Sequence, residues 1–418
     1  MSGKTRNWIL LSLLVVFTII GVAALVERMA QGLILANFTS VLPWGLWLSL
    51  YIYFIGLSAG SFLLSTLVYV FGVKRYEPVG RMALFQALGC LILGLIFILI
   101  DLGRPERFFR TIVNWAPSSV LAWEIMFYLA YIVILLVEMW ILLRPDLIPR
   151  SKLLQRIHRP RRSTILTPKE KSIVRILAII GIPVAIGVHG GTGMIFAVVK
   201  ARPFWHTGLF PLIFLISAMV SGGALLTFLT AFFSKIEQSR RGQIVRSLAK
   251  LTATVLILDI FVLFIEVVVV LYGDIPDHTH PYNLLLAGPY WWVFWIVQIL
   301  GGSVVPLVII FGRRTSDKLV WLGGAALLIF LGVIGVRLNI VIPAQQSAWF
   351  GGGPAAYHFL KNPTGYFPSS NEWLSSLGIL TLGVWGFWFG RKMLPLESEH
   401  GMAETDVEEK DNTHETDN

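Results

Sequence analysis

A chain of 418 residues that is 56% hydrophobic and only 14% charged, with a mean hydropathy of +0.73, is too apolar for a soluble domain, which carries about 25% charge. The net charge of +10 needs no nucleic acid to explain it, because the Lys and Arg excess falls in the loops between apolar segments, the usual bias of a membrane protein. The single cysteine, Cys90, excludes a disulfide within the chain and the four thiolates of an iron-sulfur cluster.

Ten apolar stretches reach the ~20 residues that a bilayer crossing requires. They run from Trp8 to Val26, Trp47 to Phe71, Met82 to Ile100, Val120 to Leu143 and Ile173 to Val198, then from Leu209 to Phe233, Leu251 to Tyr272, Tyr290 to Phe311, Leu319 to Ile340 and Leu374 to Phe389. The expected fold is therefore an all-α polytopic membrane protein with ten transmembrane helices. The first stretch follows Lys4 and Arg6 as a signal peptide would, but its apolar core is long and no small-x-small cleavage site follows, so it is expected to remain as an anchor. Counting Lys and Arg outside the helices gives twenty-five on the N-terminal side and seven on the other. By the positive-inside rule both termini are cytoplasmic, and the loop from Asp101 to Ser118 faces outward, as in a bacterial inner membrane.

The third stretch ends in Ile100-Asp101-Leu102-Gly103-Arg104-Pro105-Glu106-Arg107-Phe108, and the fourth opens with Trp123-Glu124-Ile125-Met126-Phe127-Tyr128. An acid at a membrane boundary is costly unless paired or used. Asp101 reads either as a helix-end salt bridge with the nearby Arg104 and Arg107 or as a functional group. Glu124 reads either as a first-turn acid favoured by the helix dipole or as a member of a pocket with Tyr128, four residues on and on the same face.

In the fifth stretch His189 heads His-Gly-Gly-Thr-Gly, about 15 Å before the helix emerges by its 1.5 Å rise per residue. Gly190 and its neighbours weaken the helix and let something large approach the backbone. An imidazole there is either a satisfied core residue or a proton-exchanging ligand contact. Only His189 lies well inside a helix, with His206 near the start of the sixth, so paired axial ligands are lacking and neither haem nor metal is expected. Glu266 and Arg337 occupy comparable depths near the outer ends of the seventh and ninth helices and are expected to neutralise one another. Glu138, Asp259 and Gln298 lie deeper, either as steps of a proton path or as acids and amides tucked against serines and water.

The chain also repeats itself weakly. Ala59-Gly60-Ser61-Phe62-Leu63-Leu64-Ser65 matches Ser221-Gly222-Gly223-Ala224-Leu225-Leu226-Thr227, Arg81 and Asp101 bracket the third helix as Arg246 and Glu266 bracket most of the seventh, and Gly187-Val188-His189 parallels Gly335-Val336-Arg337. Two parallel-repeat four-helix bundles with two flanking helices follow, an even number of crossings keeping the copies parallel. The expected divisions are 1–40 (N-terminus and first flanking helix), 41–200 and 201–341 (the bundles), 342–392 (outer loop and last helix) and 393–418 (a disordered, acidic tail). The outer loop from Val341 to Trp373, with Gly351-Gly352-Gly353-Pro354, Trp349, Tyr357 and Tyr366, reads equally as an interfacial aromatic cap or as a docking surface.

The Asp-Leu-Gly-Arg-Pro-x-Arg-Phe run, the following Trp-Glu, the Trp44-Gly-Leu before a small-residue helix and the His-Gly-Gly-x-Gly stretch resemble the NrfD/PsrC family, the quinone-interacting membrane subunits of polysulfide reductase-like complexes. The ten-helix form is similar to the membrane subunits of periplasmic uptake hydrogenases and of the menaquinone reductase complexes of sulfate reducers. The resemblance implies no cofactor in the chain and a menaquinone or ubiquinone site at the periplasmic end of the first bundle. It implies, too, a periplasmic four-cluster iron-sulfur subunit docked above and fed by a catalytic or multihaem cytochrome subunit.

Carried onto this sequence, the pocket uses Asp101, Glu124 and His189 as acid-base groups with Tyr128; from the residues themselves, Arg104 and Gly190 are added as quinone contacts, and Glu138, Asp259, Glu266 and Arg337 as steps of a proton path. The second bundle departs from the pattern, with Tyr290-Trp291-Trp292 where Trp-Glu would stand. The expected role is a quinone-reactive subunit of a respiratory oxidoreductase, with quinone reduction the favoured direction. Its rivals are a secondary transporter, whose site would sit at the midplane on broken helices, and an inert anchor, which would need no buried acids.

Overall fold

The computed structural model describes residues 3–39, 42–150, 155, 166–346 and 366–397. Trp349, Tyr357 and the Gly351-Gly352-Gly353-Pro354 run, most of the basic stretch after Arg150 and the chain beyond Glu397 lie outside them. The two readings of the outer loop and that of a disordered tail therefore fall largely on residues not described.

Ten helices are long and apolar enough to span a membrane. They are α1 (Gly3–Gln31), α2 (Leu46–Tyr69), α3 (Glu77–Asp101), α4 (Val120–Leu147), α5 (Pro168–Ala197), α6 (Phe210–Phe233), α7 (Gln238–Gly273), α8 (Val293–Phe311), α9 (Leu319–Gln346) and α10 (Ser370–Met393). The protein is thus an all-α, multi-pass membrane protein. Ser119 accepts the Ala122 amide to start α4. Thr167 with Glu170, and Ser369 with Glu372, form reciprocal capping boxes that start α5 and α10, satisfying amides that a helix start leaves unpaired.

Two features differ from the sequence expectation. The outer loop before α8 contains a further helix, Pro276–Leu286. Residues Val293–Val304 of α8 are π-helical, and only Val305–Phe311 returns to α geometry. Apolar composition cannot distinguish i→i+5 from i→i+4 bonding, so neither hydropathy nor length could signal the change; long π segments are rare and gather at functional positions.

Helices α2 to α5 pack in a ring, α2 on α3, α3 on α4, α4 on α5 and α5 on α2, and α6 to α9 pack in a second ring in the same order. The rings meet where α2 lies on α6 and α9, and α5 on α6. The α2–α6 crossing is close: a Cβ on Gly60 would sit 1.9 Å from the Ala218 carbonyl oxygen, and one on Gly222 2.5 Å from the Gly60 carbonyl carbon. Small residues let membrane helices approach to backbone contact and gain dispersion energy, since lipid gives no hydrophobic drive for association.

Helices α1 and α10 pair with each other, Gly21 against Gly378, and lie against α3. The cores of α1 and α7 are the least enclosed. They present Val26, Phe261, Phe264 and Val269 outward, each more than half exposed, a surface suited to hydrocarbon and not to water. α2 is the most enclosed helix and carries the side of the molecule where the polar groups gather.

Candidate functional site

Three polar levels follow one another down α2 from its N-terminal end, at Trp47, Tyr51 and Gly56. By the helical rise the second lies about 6 Å and the third about 13 Å below the first.

At the first level Arg28 of α1 is buried. Its Nε donates to the Ile100 carbonyl at 2.9 Å and its Nη2 to that of Leu102 at 2.7 Å, so it caps the exposed end of α3 while its guanidinium lies over the Trp47 ring, 5.5 Å from the centroid. Asp101 lies within Coulombic range of Arg28 and of Glu372. Its Oδ1 is buried without a hydrogen-bond partner among the described residues. Glu372, fully buried, accepts the amides of Asn37 at 3.0 Å and Ser369 at 2.9 Å and the Tyr366 hydroxyl. Burial, reinforced by the Glu372 carboxylate, pushes the Tyr366 phenol above its usual range, so it stays a donor to Glu372 while accepting the Leu46 amide at 2.9 Å. Trp47 in turn donates through Nε1 to Ser375 of α10 at 2.9 Å. Both flanking helices therefore supply Asp101's surroundings.

At the second level Glu124 of α4 is buried and its Oε1 is the focus of three hydroxyls. Thr192 of α5 donates to it at 2.5 Å, Tyr128 at 3.2 Å, and Tyr51 stands at 3.4 Å. The hydroxyls of Tyr51 and Tyr128 are 2.7 Å apart. Each phenol has one proton to give, so the two form a directed chain ending on Glu124, and reversing it requires only hydroxyl rotation. A carboxyl so placed can take up or release a proton without moving heavy atoms.

At the third level His189 of α5 faces Gly56, where a Cβ would come within 3.0 Å of the imidazole. Its Nε2 accepts from Nη2 of Arg337 of α9 at 3.4 Å, and Arg337 also reaches Ser217 Oγ at 3.2 Å. An arginine can only donate, so Nε2 is the acceptor and the neutral ring carries its proton on Nδ1, which is turned to the Phe214 backbone without a bond of full hydrogen-bond geometry. A run of rings leads from the loop before α2 down to this level: Trp44 to Trp205 at 5.7 Å, Trp205 to Phe196 at 4.9 Å, Phe196 to Phe214 at 5.8 Å and Phe214 to His189 at 5.4 Å.

The structure thus brings Glu124 and Tyr128 together as the i, i+4 spacing implies, and places Asp101, Glu124 and His189 around one helix without direct contact between them. The three stand at staggered depths, at successive levels along α2. Arg104 is exposed and faces away from Glu124 and His189, toward the end of α1. Gly190 admits nothing from another element, its would-be Cβ meeting only Ile186 at 3.9 Å. The close approaches are at Gly191, 3.6 Å from the Glu124 side chain, and at Gly193, 2.7 Å from Pro211 Cα, and α5 stays helical throughout.

Mutual neutralisation of Glu266 and Arg337 is also corrected. Glu266 is hydrogen-bonded by Tyr282 of the additional loop helix, and the acid in Coulombic range of Arg337 is Asp259, two turns deeper on α7. Burial, reinforced by that Glu266 carboxylate, pushes the Tyr282 phenol above its usual range.

Glu138 is fully buried with neither oxygen partnered among the described residues. It lies on the α4 stripe that carries Glu124, Tyr128 and Tyr131, and Tyr131 meets Ser58 of α2 through both the hydroxyl at 3.2 Å and the carbonyl at 3.1 Å. Gln298 of the π segment accepts from Asn339 at 2.7 Å. Among the described residues no cluster of three or more His, Cys, Asp or Glu side chains is placed to hold a metal ion.

Sequence reading missed Arg28, Tyr51, Thr192 and Glu372. Thr192 stands within the glycine run, and Ser369-x-x-Glu372 is a legible capping box. Arg28 and Tyr51 gave no local signal.

These features define a ten-helix membrane protein with buried carboxyl groups at one end of its first helical ring. The chain belongs to the NrfD family, whose model, Polysulphide reductase, NrfD, matches residues 34–348. That span covers α2 to α9 and leaves out α1 and α10. A selenate reductase subunit of Mesobacillus selenatarsenatis is 39% identical over 90% of this chain and 92% of its own. The Hdr-like menaquinol oxidoreductase integral membrane subunit of Archaeoglobus fulgidus is 28% identical over 98% of both chains. A polysulfide reductase component of Wolinella succinogenes is 27% identical over 71% of this chain and 93% of its own.

Proposed function

We propose that this chain is the quinone-reactive membrane subunit of a respiratory oxidoreductase, with menaquinone or ubiquinone as its lipid-soluble substrate. The observation that carries the reading is Glu124, a buried carboxyl on which three hydroxyls converge, about one helical turn along α2 from the Trp47 level. Quinone and quinol interconvert by two electrons and two protons, so a protein-borne site must hold the carbonyl oxygens and exchange protons with them. Glu124 with Tyr51 and Tyr128 meets the second need, and the Nδ1–H of His189, in exchange for its contact with the Phe214 backbone, meets the first. Asp101 completes the acid-base set from the first level. The electrons come from or go to a separate iron-sulfur subunit on the outer face, itself served by a catalytic or multihaem cytochrome subunit; the relatives' names as parts of reductases and oxidoreductases support such partners.

Quinone reduction is the direction that sequence reading favours, but the name of the Archaeoglobus relative, a menaquinol oxidoreductase, favours menaquinol as the electron donor, and we adopt quinol oxidation. Both termini are taken as cytoplasmic in an inner membrane, on the Lys and Arg distribution. Residues 41–200 and 201–341 are taken as duplicated parallel bundles, a reading supported by the contact of the matched positions Gly60 and Gly222.

The test is quinol-dependent electron transfer in the intact complex. Glu124→Gln and His189→Ala are each expected to lower turnover about 10²-fold, the usual scale for a lost acid-base group, with assembly unchanged. Full activity in both assembled variants would remove the site.

A further inference from the structure

Between the end of α1 and the turn that follows α3 lies a groove of ≈380 Å³ lined by Arg28, Met29, Leu99, Arg104, Pro105 and Phe108. Its size falls in the range of small-molecule sites, which run from about 300 to 1,000 Å³. One wall is polar and the other is hydrocarbon: Arg28 stands at the inner side, and Met29 and Phe108, about half exposed, stand on the side facing lipid. Leu99 and Gly103, both in the wall, flank Asp101 two residues either way. The groove is thus the lipid-facing side of the Asp101 level. It depends on α1, which lies outside the span that the family model matches.

Resting on the function proposed above, we infer that this groove seats the quinol head group as it arrives from the membrane, with Arg28 donating to a ring hydroxyl oxygen and the tail lying along the apolar face of α1. The chemistry selects a neutral ligand. Two of the five N–H donors of Arg28 are already committed to the Ile100 and Leu102 carbonyls, and its charge faces Asp101. Arg104 and Glu106 also border the groove as opposite charges, so a phosphate would meet a carboxylate as well as a cation. A planar, neutral quinol needs hydrogen-bonding groups for its ring oxygens and apolar walls but no net charge, and the groove offers both. The α1 surface below it, with Val22, Val26 and Met29 exposed, continues the hydrocarbon wall into the bilayer, as an isoprenoid tail requires.

The experiment uses the purified complex containing the full chain and a photoreactive azido-naphthoquinone. Label is expected on the segments around residues 28–32 and 99–108. Met29→Trp, which fills the groove from α1, is expected to raise KM for a prenylated naphthoquinol about tenfold while kcat changes less than about twofold, the pattern of lost ground-state binding. Label confined to residues 120–200, with KM unchanged in Met29→Trp, overturns the inference and leaves the proposed function standing. Label elsewhere, together with a bound phospholipid that Arg104→Gln loses, overturns it in favour of a lipid site. A wild-type complex that takes no electrons from quinol overturns both readings. If Met29→Trp does not assemble, the label position in the wild type decides.

Discussion

Arg337 carries a charge that no physiological pH removes, yet it is fully buried, and its Nε and Nη1 have no partner among the described residues. The Phe214 face at 4.9 Å and the field of Asp259 offset part of that cost. Replacing a buried ion pair by uncharged groups is often neutral or stabilising by about 1–4 kcal/mol, whereas removing one partner alone costs about 3–5 kcal/mol. The function of Arg337 therefore lies in its hold on His189 and is separated from the pairing by removing both charges. Arg337→Met combined with Asp259→Asn is expected to leave the melting temperature in detergent no lower than that of the wild type, while quinol turnover falls about tenfold, and Arg337→Lys alone should keep part of the turnover. Lower stability with unchanged turnover would make Arg337 a packing residue. At this scale the sequence was informative only where partners are close along the chain. Glu124 and Tyr128 were readable from their spacing, whereas Asp101 finds Arg28 on α1 and Glu372 on α10, and no periodicity links positions so far apart.

The helices themselves were readable because each needs about 20 apolar residues and little else, and all ten expected segments are found, most of them with longer ends. Their mutual placement rests on a few contacts between small residues. A side chain at Gly60 would enter the backbone of α6, so Gly60→Val is expected to destabilise the chain by at least the 1–3 kcal/mol typical of overpacking, and more if α2 and α6 separate. The check is the midpoint of thermal unfolding in detergent. Gly89→Val serves as control, since a Cβ there would meet nothing within 4 Å. The π segment of α8, like the helix Pro276–Leu286 before it, escaped sequence reading. Its Gln298 and Ser303 are paired within the ring, Ser303 donating to the Gln298 carbonyl at 3.0 Å, so the altered turn is stabilised by contacts that hydropathy does not register.

Across the whole molecule, the orientation proposed from the Lys and Arg distribution would place the first-level cluster on the outer side. Thr111, exposed on the short helix Arg110–Val113 between α3 and α4, is a direct reporter. A cysteine at this position should react with an impermeant thiol reagent added to intact cells, and labelling seen only after the inner membrane is broken would reverse the orientation. Glu138, buried and unpartnered among the described residues on the α4 stripe, and Asp259, near Arg337, are the steps proposed for carrying protons released by quinol oxidation toward the opposite face. In proteoliposomes, Glu138→Gln and Asp259→Asn should lower the membrane potential built per quinol consumed. Unchanged potential in both variants would confine proton exchange to the outer end.

The staggering of the three levels along α2 has an electrical meaning. A bilayer core is about 30 Å thick, and an elementary charge moved through the full potential exchanges about 2.3 kcal/mol per 100 mV. The roughly 13 Å between the Trp47 and Gly56 levels is a little under half of that thickness. A proton passed from the Asp101 level to the His189 level would therefore traverse about 40% of the field, or about 1 kcal/mol at 100 mV, whereas one stopping at Glu124 would traverse about half as much. Each level is thus a distinct electrical depth, and the size of a voltage transient after a single turnover would report which carboxyl or imidazole the proton had reached.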